Sequence, residues 1–259
     1  MYKTILFEII GKKATITLNR PDAFNAFNGD MNTELQAVLR EVAKNAAIRV
    51  VVITGTGKAF CAGQDLKEIQ GVENRSLAES IRQRYNPLIT GMRNLPKPII
   101  CKLNGIAAGA GCSFALACDM IIASENASLL EAFVNVGLVL DSGSAYFLPR
   151  LVGAARAFEL ATMGKKISAQ DALQWGMINK VVPATELDKA VDEVVEYYAN
   201  APTKTIGMIK KMLNKSFHSD LDTMLEAEAL YQEIAGFSKD YKEGVKAFIE
   251  KRKANFTGE

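Results

Sequence analysis

The chain has 259 residues, and its 31 lysines and arginines against 29 aspartates and glutamates give a net charge of +2. Hydrophobic residues make up 49% and charged residues 23%, which is typical of a globular protein with a large core and excludes disorder, collagen and a coiled coil. The near-neutral charge gives no sign of a nucleic-acid-binding surface, which would need clustered lysines and arginines, and a single histidine excludes the usual His-rich zinc site.

Two hydrophobic patterns alternate along the first 182 residues. Short apolar runs, often β-branched, predict strands at 2–9, 13–19, 49–54, 99–104, 119–124 and 179–182. Apolar residues at helical spacing, or a run of small residues, predict helices at 30–46, 76–95 and 112–118. We expect Asp30 to cap the first helix and Pro87 to kink or divide the second. This alternation indicates a sheet covered by helices.

The pattern changes near residue 200. From Pro202 onward glycine becomes rare and no strand pattern remains. Three amphipathic helices are predicted at 203–217, 219–235 and 238–254. Their apolar faces could complete the core or form an interface between copies, and the sequence favours neither. We therefore divide the chain into a core at residues 1–200 and a helical C-terminal region at residues 201–259.

The cysteines indicate the compartment. They form no C-x-x-C pair and lie in apolar stretches, at Cys61, Cys101, Cys112 and Cys118. We expect buried, reduced thiols and hence a reducing compartment. Charges interrupt the N-terminal apolar stretch, and the longest uncharged run is too short for a membrane span. We therefore expect a cytoplasmic protein without a membrane partner.

Two glycine-rich turns each follow a predicted strand. The first, 54–66, contains part of a phosphate-binding loop, but Ala59 stands where that loop needs a hydroxyl for Mg²⁺. The second, 105–111, partly matches a dinucleotide-binding pattern, but Phe114 occupies the third glycine position. Small residues at helix entrances also let a ligand approach free backbone N–H groups, so the two turns together could form an oxyanion hole. Close packing of helix on strand is the purely structural alternative.

Four segments carry a resemblance to a known family. The segments AFCAGQDLKE (59–68), NGIAAGAGCSFALACDMIIAS (104–124) and GVKAFIEKRKANF (244–256) resemble the crotonase, or enoyl-CoA hydratase/isomerase, superfamily, and NRPDAFNAF (19–27) matches its N-terminal element. They occur in the family's order over essentially the whole chain. The resemblance implies the α/β crotonase (ClpP-like) fold, a spiral of ββα units. It also implies that the C-terminal helical region serves oligomerisation, with a trimer or hexamer as the assembly.

The resemblance further implies the substrate and its contacts. Family members bind acyl-CoA thioesters, so coenzyme A would arrive as part of the substrate, with no further cofactor and no metal. The thioester oxygen would accept hydrogen bonds from the backbone N–H groups of Gln64 and Ala110. Motif positions assign the remaining acyl-CoA contacts to Ala23, Phe24, Ala62, Gly63, Asp65, Leu66, Gly111, Phe133, Leu138, Phe248 and Lys251.

The acid and base groups decide which reaction the resemblance implies. Family hydratases carry two glutamates, and this chain has Ser113 and Phe133 at those positions, with Glu131 two residues away from the second. Asp141 stands where many family isomerases place a single acid, and its apolar neighbours should raise its pKa. The structural alternative is that Asp141 caps the helix that follows it.

The segments GLVLDSGSAYFLPRLVG (137–153) and YNPLI (85–89) resemble the branch of the family that isomerises ring-1,2-epoxyphenylacetyl-CoA in phenylacetate degradation. We therefore predict an acyl-CoA isomerase that shifts a double bond, or opens a ring epoxide, through an enolate. Asp141 would remove and return the proton. The alternatives are an enoyl-CoA hydratase with atypical acid and base residues, and a non-catalytic oligomeric protein that binds CoA.

Overall fold

The computed structural model describes residues 2–70 and 76–259, and the strands of this part of the chain form two sheets. The strands are β1 (Ile5–Ile10), β2 (Lys13–Leu18), β3 (Val50–Gly55), β4 (Ala59–Cys61), β5 (Ile99–Leu103), β6 (Ile106–Ala108), β7 (Met120–Ser124), β8 (Ser128–Leu130), β9 (Ile167–Ser168) and β10 (Lys180–Val182). The larger sheet has the order β1-β2-β3-β5-β7-β10, and the smaller has the order β4-β6-β8-β9. Only the β1–β2 and β8–β9 pairs are antiparallel within these described sheets.

The helices cover the larger sheet and form the C-terminal region. They are α1 (Gly29–Lys44), α2 (Leu66–Ile69), α3 (Leu77–Ser80), α4 (Asn86–Asn94), α5 (Ala110–Leu116), α6 (Ser144–Val152), α7 (Ala154–Met163), α8 (Ala169–Gln174), α9 (Leu187–Ala199), α10 (Thr203–Ser216), α11 (Leu221–Gly236) and α12 (Lys239–Ile249). None of the described helices is both long and apolar enough to cross a membrane.

The six predicted strands are confirmed, and all of them belong to the larger sheet. The sequence did not reveal the smaller sheet, because its strands have only two or three residues and are too short to show a two-residue period. One of them, β6, lies inside the predicted glycine-rich turn at 105–111. The helix after that turn begins at Ala110, two residues earlier than the prediction.

The division expected at Pro87 is confirmed: the predicted helix consists of α3, a π-helical turn at Ile81–Tyr85 and α4, and Pro87 lies in the first turn of α4. Two helix predictions need correction. Asn28, not Asp30, caps α1, because its side-chain oxygen accepts a hydrogen bond from Met31 N–H at 2.9 Å. The last helix ends at Ile249, five residues before its predicted end.

Alternating residues of the central strands build the two sides of the core. Val51 and Ile53 of β3 belong to the main cluster, together with α1, α4 and α5. Val50 and Val52 face the other way and pack with α9, a helix that the sequence analysis did not predict. The four cysteines are free and buried, as predicted. This two-sided burial explains why β3 reads as a continuous apolar run.

The C-terminal helices leave large apolar side chains in solvent. α10 packs on α4 and α11, so part of the region does complete the fold. Nevertheless, Leu221 is 72%, Phe237 76% and Phe248 85% exposed. Apolar exposure on this scale is typical of a surface that another subunit covers. Assembly into a trimer or hexamer therefore stays a prediction.

Light scattering tests this prediction directly. We expect a mass three or six times the 28.2 kDa of one chain at micromolar concentration. Replacing Phe237 by Asp should shift the population towards smaller species, because it places a charge in the covered surface. A monomer of the unmodified protein under these conditions would contradict the interpretation of the tail.

Candidate active site

The first glycine-rich turn is held in place by the N-terminal loop. Phe27 N–H donates to Gly63 O at 2.7 Å, and Asp65 N–H donates back to Phe27 O at 2.9 Å. These two bonds form a parallel bridge that spans Gln64. In this pattern Gln64 N–H points away from the bridge, and it donates no hydrogen bond within the described residues. The turn therefore presents an unused donor.

The second turn presents a matching donor. Gly109 precedes α5 with φ at +51°, a conformation that favours glycine. Ala110 is the first residue of α5, so its N–H has no partner within the helix, and none of the described residues accepts from it. The positive end of the short helix adds to the attraction for a negatively charged oxygen.

Glycine at position 63 allows the two turns to meet. Its φ is +89°, and a Cβ atom there would lie 2.7 Å from Ala108 O and 3.3 Å from Ala110 N. Any side chain would therefore push the strands β4 and β6 apart. With glycine, Gln64 and Ala110 border the same cavity.

The cavity has a volume of about 300 Å³ and mostly apolar walls. It includes both predicted donors, the predicted acid and five of the predicted contacts, which are Gln64, Ala110, Asp141, Ala62, Gly63, Leu66, Phe133 and Leu138. A small apolar cavity with a few polar groups is typical of a site for a small organic ligand.

Six predicted contacts lie outside this cavity, at Ala23, Phe24, Asp65, Gly111, Phe248 and Lys251. The Asp65 carboxylate binds Arg20 at 2.8 Å and caps α2, so it serves the local fold. Gly111 is a packing residue, because a Cβ atom there would lie 2.2 Å from Cys61 O. Phe248 and Lys251 lie in the tail, and their contact with substrate in an assembly stays a prediction.

The sequence analysis missed the wall that α3 and the π-helical turn supply. Leu77, Ile81 and Tyr85 line the cavity, whereas the sequence had predicted only a helix over this segment. Tyr85 donates a hydrogen bond from its hydroxyl to Gln64 Oε1 at 2.6 Å. Burial, with the nearby Asp141, raises the pKa of Tyr85, so its hydroxyl stays protonated. Tyr85 therefore fixes the side chain of the residue that carries the first donor.

Asp141 reaches the cavity from the loop before α6. Its Oδ1 accepts a hydrogen bond from Ser142 Oγ at 2.7 Å, and burial raises the pKa of the carboxyl. Gly143 stands at the N-cap position of α6, and no side chain caps that helix within the described chain. The helix-cap alternative for Asp141 is therefore wrong. Its carboxylate is available to a ligand.

The other acidic candidate turns away from the cavity. Glu131 follows β8, is 0% exposed and accepts a hydrogen bond from Ser144 Oγ at 2.9 Å. Burial raises the pKa of Glu131 to about 7, although the hydrogen bond from Ser144 and the nearby Cys112 thiol lower it. Ser113 is also fully buried, in α5. Within the described part of the chain, Asp141 is the only carboxyl group that lines the cavity.

Comparisons with known proteins show the family to which the chain belongs. The family model for enoyl-CoA hydratase/isomerase matches residues 11–259. The chain belongs to the enoyl-CoA hydratase/isomerase family. It is 42% identical to a 1,2-epoxyphenylacetyl-CoA isomerase of Escherichia coli over the full length of both chains. It is 39% identical to a probable enoyl-CoA hydratase of Rhodobacter capsulatus over 99% of each chain.

Solved structures of enoyl-CoA hydratases confirm the crotonase fold. The crystal structure of the enoyl-CoA hydratase from Bacillus anthracis superposes with a TM-score of 0.92 at 36% identity, covering 99% of this chain and 100% of the other. Among the described residues, no three His, Cys, Asp or Glu side chains are grouped to hold a metal ion. The chain is thus an enzyme of the enoyl-CoA hydratase/isomerase family with one acidic group in its described cavity.

Proline at position 110 tests the second donor. The first residue of a helix tolerates proline, so Ala110→Pro should remove the N–H and leave α5 folded. We expect turnover to fall by about 10²–10³, the usual cost of losing one oxyanion donor. Ala110→Ser keeps the N–H and is the matched control. A folded Ala110→Pro enzyme as fast as the control would exclude this amide from the site.

The buried Glu131 makes stability depend on pH. Its raised folded-state pKa means that the chain loses stability as pH rises from the ordinary glutamate value of 4.5 towards about 7, because the unfolded chain ionises first. Between about pH 5 and pH 8 the loss should be about 2–3 kcal/mol. Glu131→Gln removes this dependence. Urea titrations of both proteins at the two pH values measure it, and equal pH slopes would contradict a buried, neutral Glu131.

Proposed function

We propose that the chain is an acyl-CoA isomerase in which Asp141 moves a proton along the acyl chain. The observation that carries this proposal is the cavity itself. Its described lining combines two unused backbone donors, apolar walls and a single carboxyl group. Such a set of groups suits the formation of an enolate and the transfer of its proton, and it requires no cofactor beyond the CoA in the substrate.

The two amides would stabilise the enolate. When a proton leaves the carbon chain, the electron pair moves to the thioester oxygen, which becomes negatively charged. Donors from Gln64 and Ala110 are already oriented, so they need no reorganisation when the charge develops. The donors belong to the backbone, and the family model covers both turns.

Asp141 would act as base and then as acid. In the first step, a C–H bond breaks and its proton passes to the carboxylate. In the second step, the carboxyl returns the proton at the other end of the allyl system, so that protons and electrons balance. Burial raises the pKa of Asp141, which brings it closer to the neutral range in which such a shuttle works best.

The same features disfavour addition of water. Ser113 and Phe133 replace the two glutamates expected of a hydratase, and Ser113 is not part of the described cavity lining. Glu131 is directed at Ser144 instead of the cavity. No second described carboxyl is thus available to activate water beside Asp141. The similarity to a 1,2-epoxyphenylacetyl-CoA isomerase also supports isomerisation, either of a double bond or of a ring epoxide.

Asp141→Asn tests the proton-transfer role of this position. The amide keeps the size and the hydrogen bond from Ser142 but cannot take up a proton. We expect turnover of a 3-enoyl-CoA to fall by about 10²–10⁴, the usual contribution of general acid–base catalysis, with acyl-CoA affinity little changed. Stopped assays with 3-enoyl-CoA, 2-enoyl-CoA and 1,2-epoxyphenylacetyl-CoA would also identify the preferred substrate.

The control for this variant is Asp192→Asn, because Asp192 is an exposed residue that forms an ion pair with Lys13 away from the cavity. It should leave turnover unchanged. A folded Asp141→Asn enzyme that isomerises as fast as this control would overturn the proposal. Formation of 3-hydroxyacyl-CoA as the main product of the unmodified enzyme would favour the hydratase alternative instead.

A further inference from the structure

A buried chain of polar side chains lies behind Asp141, outside the cavity. Glu131 Oε1 lies 2.9 Å from Ser144 Oγ, and Ser144 Oγ lies 2.7 Å from Ser113 Oγ. Ser113 Oγ in turn lies 3.1 Å from the backbone oxygen of Asp141, closer than to that of Gly109 at 3.3 Å. All three side chains are 0% exposed. These hydrogen-bonded side chains therefore connect the end of β8 and the helices α5 and α6 with the loop that carries Asp141.

The carboxyl group of Glu131, at one end of this row of side chains, has an oxygen without a hydrogen-bond partner. Glu131 Oε2 is buried and makes no hydrogen bond of normal length and angle with any described residue, although the Cys112 thiol lies close enough to influence the carboxyl. A buried charged oxygen without a partner is costly, whereas a neutral carboxyl costs much less. The surroundings therefore favour Glu131 with its proton.

The protonation state of Glu131 decides which groups donate and which accept in these hydrogen bonds. If Glu131 is neutral, its O–H can donate to Ser144 Oγ, Ser144 can donate to Ser113 Oγ, and Ser113 can donate to Asp141 O. Every donor then has an acceptor. If Glu131 is ionised, Ser144 must donate to Glu131, and Ser113 is drawn towards the Ser144 oxygen at 2.7 Å. The bond from Ser113 to Asp141 O is then lost, and Asp141 O keeps only the bond from Ser144 N–H at 3.0 Å among the described donors.

We propose that Glu131 is a positioning residue for Asp141, and that its protonation state sets the direction of the Glu131–Ser144–Ser113 hydrogen bonds that hold the Asp141 loop against α5. This proposal rests on the proposed role of Asp141. Because α5 also carries the donor at Ala110, the neutral form fixes the acid relative to the oxyanion hole. The ionised form releases that connection and places a second negative charge behind Asp141.

The groups that face Glu131 are few. Asp141 approaches from the loop before α6 and raises the pKa of Glu131, whereas the Cys112 thiol from α5 and the Ser144 hydroxyl from α6 lower it. Burial is the largest influence and gives a pKa of about 7. The chain's single histidine, His218, stacks on Tyr146 and does not act on Glu131. A change in turnover or in the infrared spectrum near neutral pH can therefore be assigned to Glu131 or to His218 with one variant at each position.

The first test needs no substrate. Infrared difference spectra of the unmodified protein between about pH 6 and pH 9 should show the loss of a neutral carboxylic acid band with a midpoint near 7. Glu131→Gln should lack this band, and His218→Gln should retain it. If the band is absent from the unmodified protein, or persists in Glu131→Gln, the proposal is wrong, whatever reaction the enzyme catalyses.

The second test asks whether this proton positions Asp141. In the unmodified enzyme, turnover should fall about threefold to tenfold as the pH rises through the Glu131 transition, the effect of one hydrogen bond, with little change in KM. The side-chain amide in Glu131→Gln keeps an N–H donor towards Ser144, so this variant should lose the alkaline decline yet keep the turnover seen at lower pH. Ser144→Ala interrupts the chain and should be slow at every pH. Ser124→Ala, at another buried serine, is the matched control.

The outcomes separate this proposal from the proposed function. An alkaline decline that persists in Glu131→Gln would overturn the positioning role, even if Asp141→Asn confirms the acid. A decline that disappears in His218→Gln would assign the transition to the histidine and overturn it as well. If no variant or unmodified protein isomerises any acyl-CoA, the proposed function and the positioning role fail together, while the infrared band still decides the state of Glu131.

Discussion

The close approach of two backbone turns is the constraint on which the site depends. Gly63 lies so near to Ala108 and Ala110 that a single added carbon atom would separate them. This contact brings a turn of the smaller sheet and the start of α5 to the same cavity, each with an unused N–H group. Both donors are parts of the backbone, so in the proposed reaction the fold itself, and not a particular side chain, would stabilise the negative charge.

The acid is held by a different set of contacts. Asp141 lies at the end of an apolar loop, and its backbone and side chain both accept hydrogen bonds from serines. A carboxyl in these surroundings keeps its proton more readily than one in water, which suits a group that must release and recover a proton in turn. In the proposed reaction the site would thus combine backbone donors for the thioester oxygen with one titratable group for the carbon chain.

The sequence predicted some parts of the site better than others. The glycine-rich turns could be found because glycine positions leave a local pattern, and Asp141 could be found because its loop resembles the one on which family isomerases place an acid. Tyr85 could not, because its helical spacing is equally typical of core packing and its contact with Gln64 spans 21 positions. The smaller sheet was missed because its strands are too short to show a period. The surroundings of Glu131 depend on three separate elements, which only the tertiary structure brings together.

The central claim is that Asp141 carries a proton from the α-carbon to the γ-carbon of the acyl chain. Deuterium labelling of the substrate tests this claim most directly. A 3-enoyl-CoA labelled with deuterium at the α-carbon would be converted in ordinary water, and the γ-carbon of the 2-enoyl product examined by mass spectrometry and NMR. A single shielded base should deliver part of the deuterium to the γ-carbon. Complete loss of the label to water, together with hydroxylated product, would contradict the account.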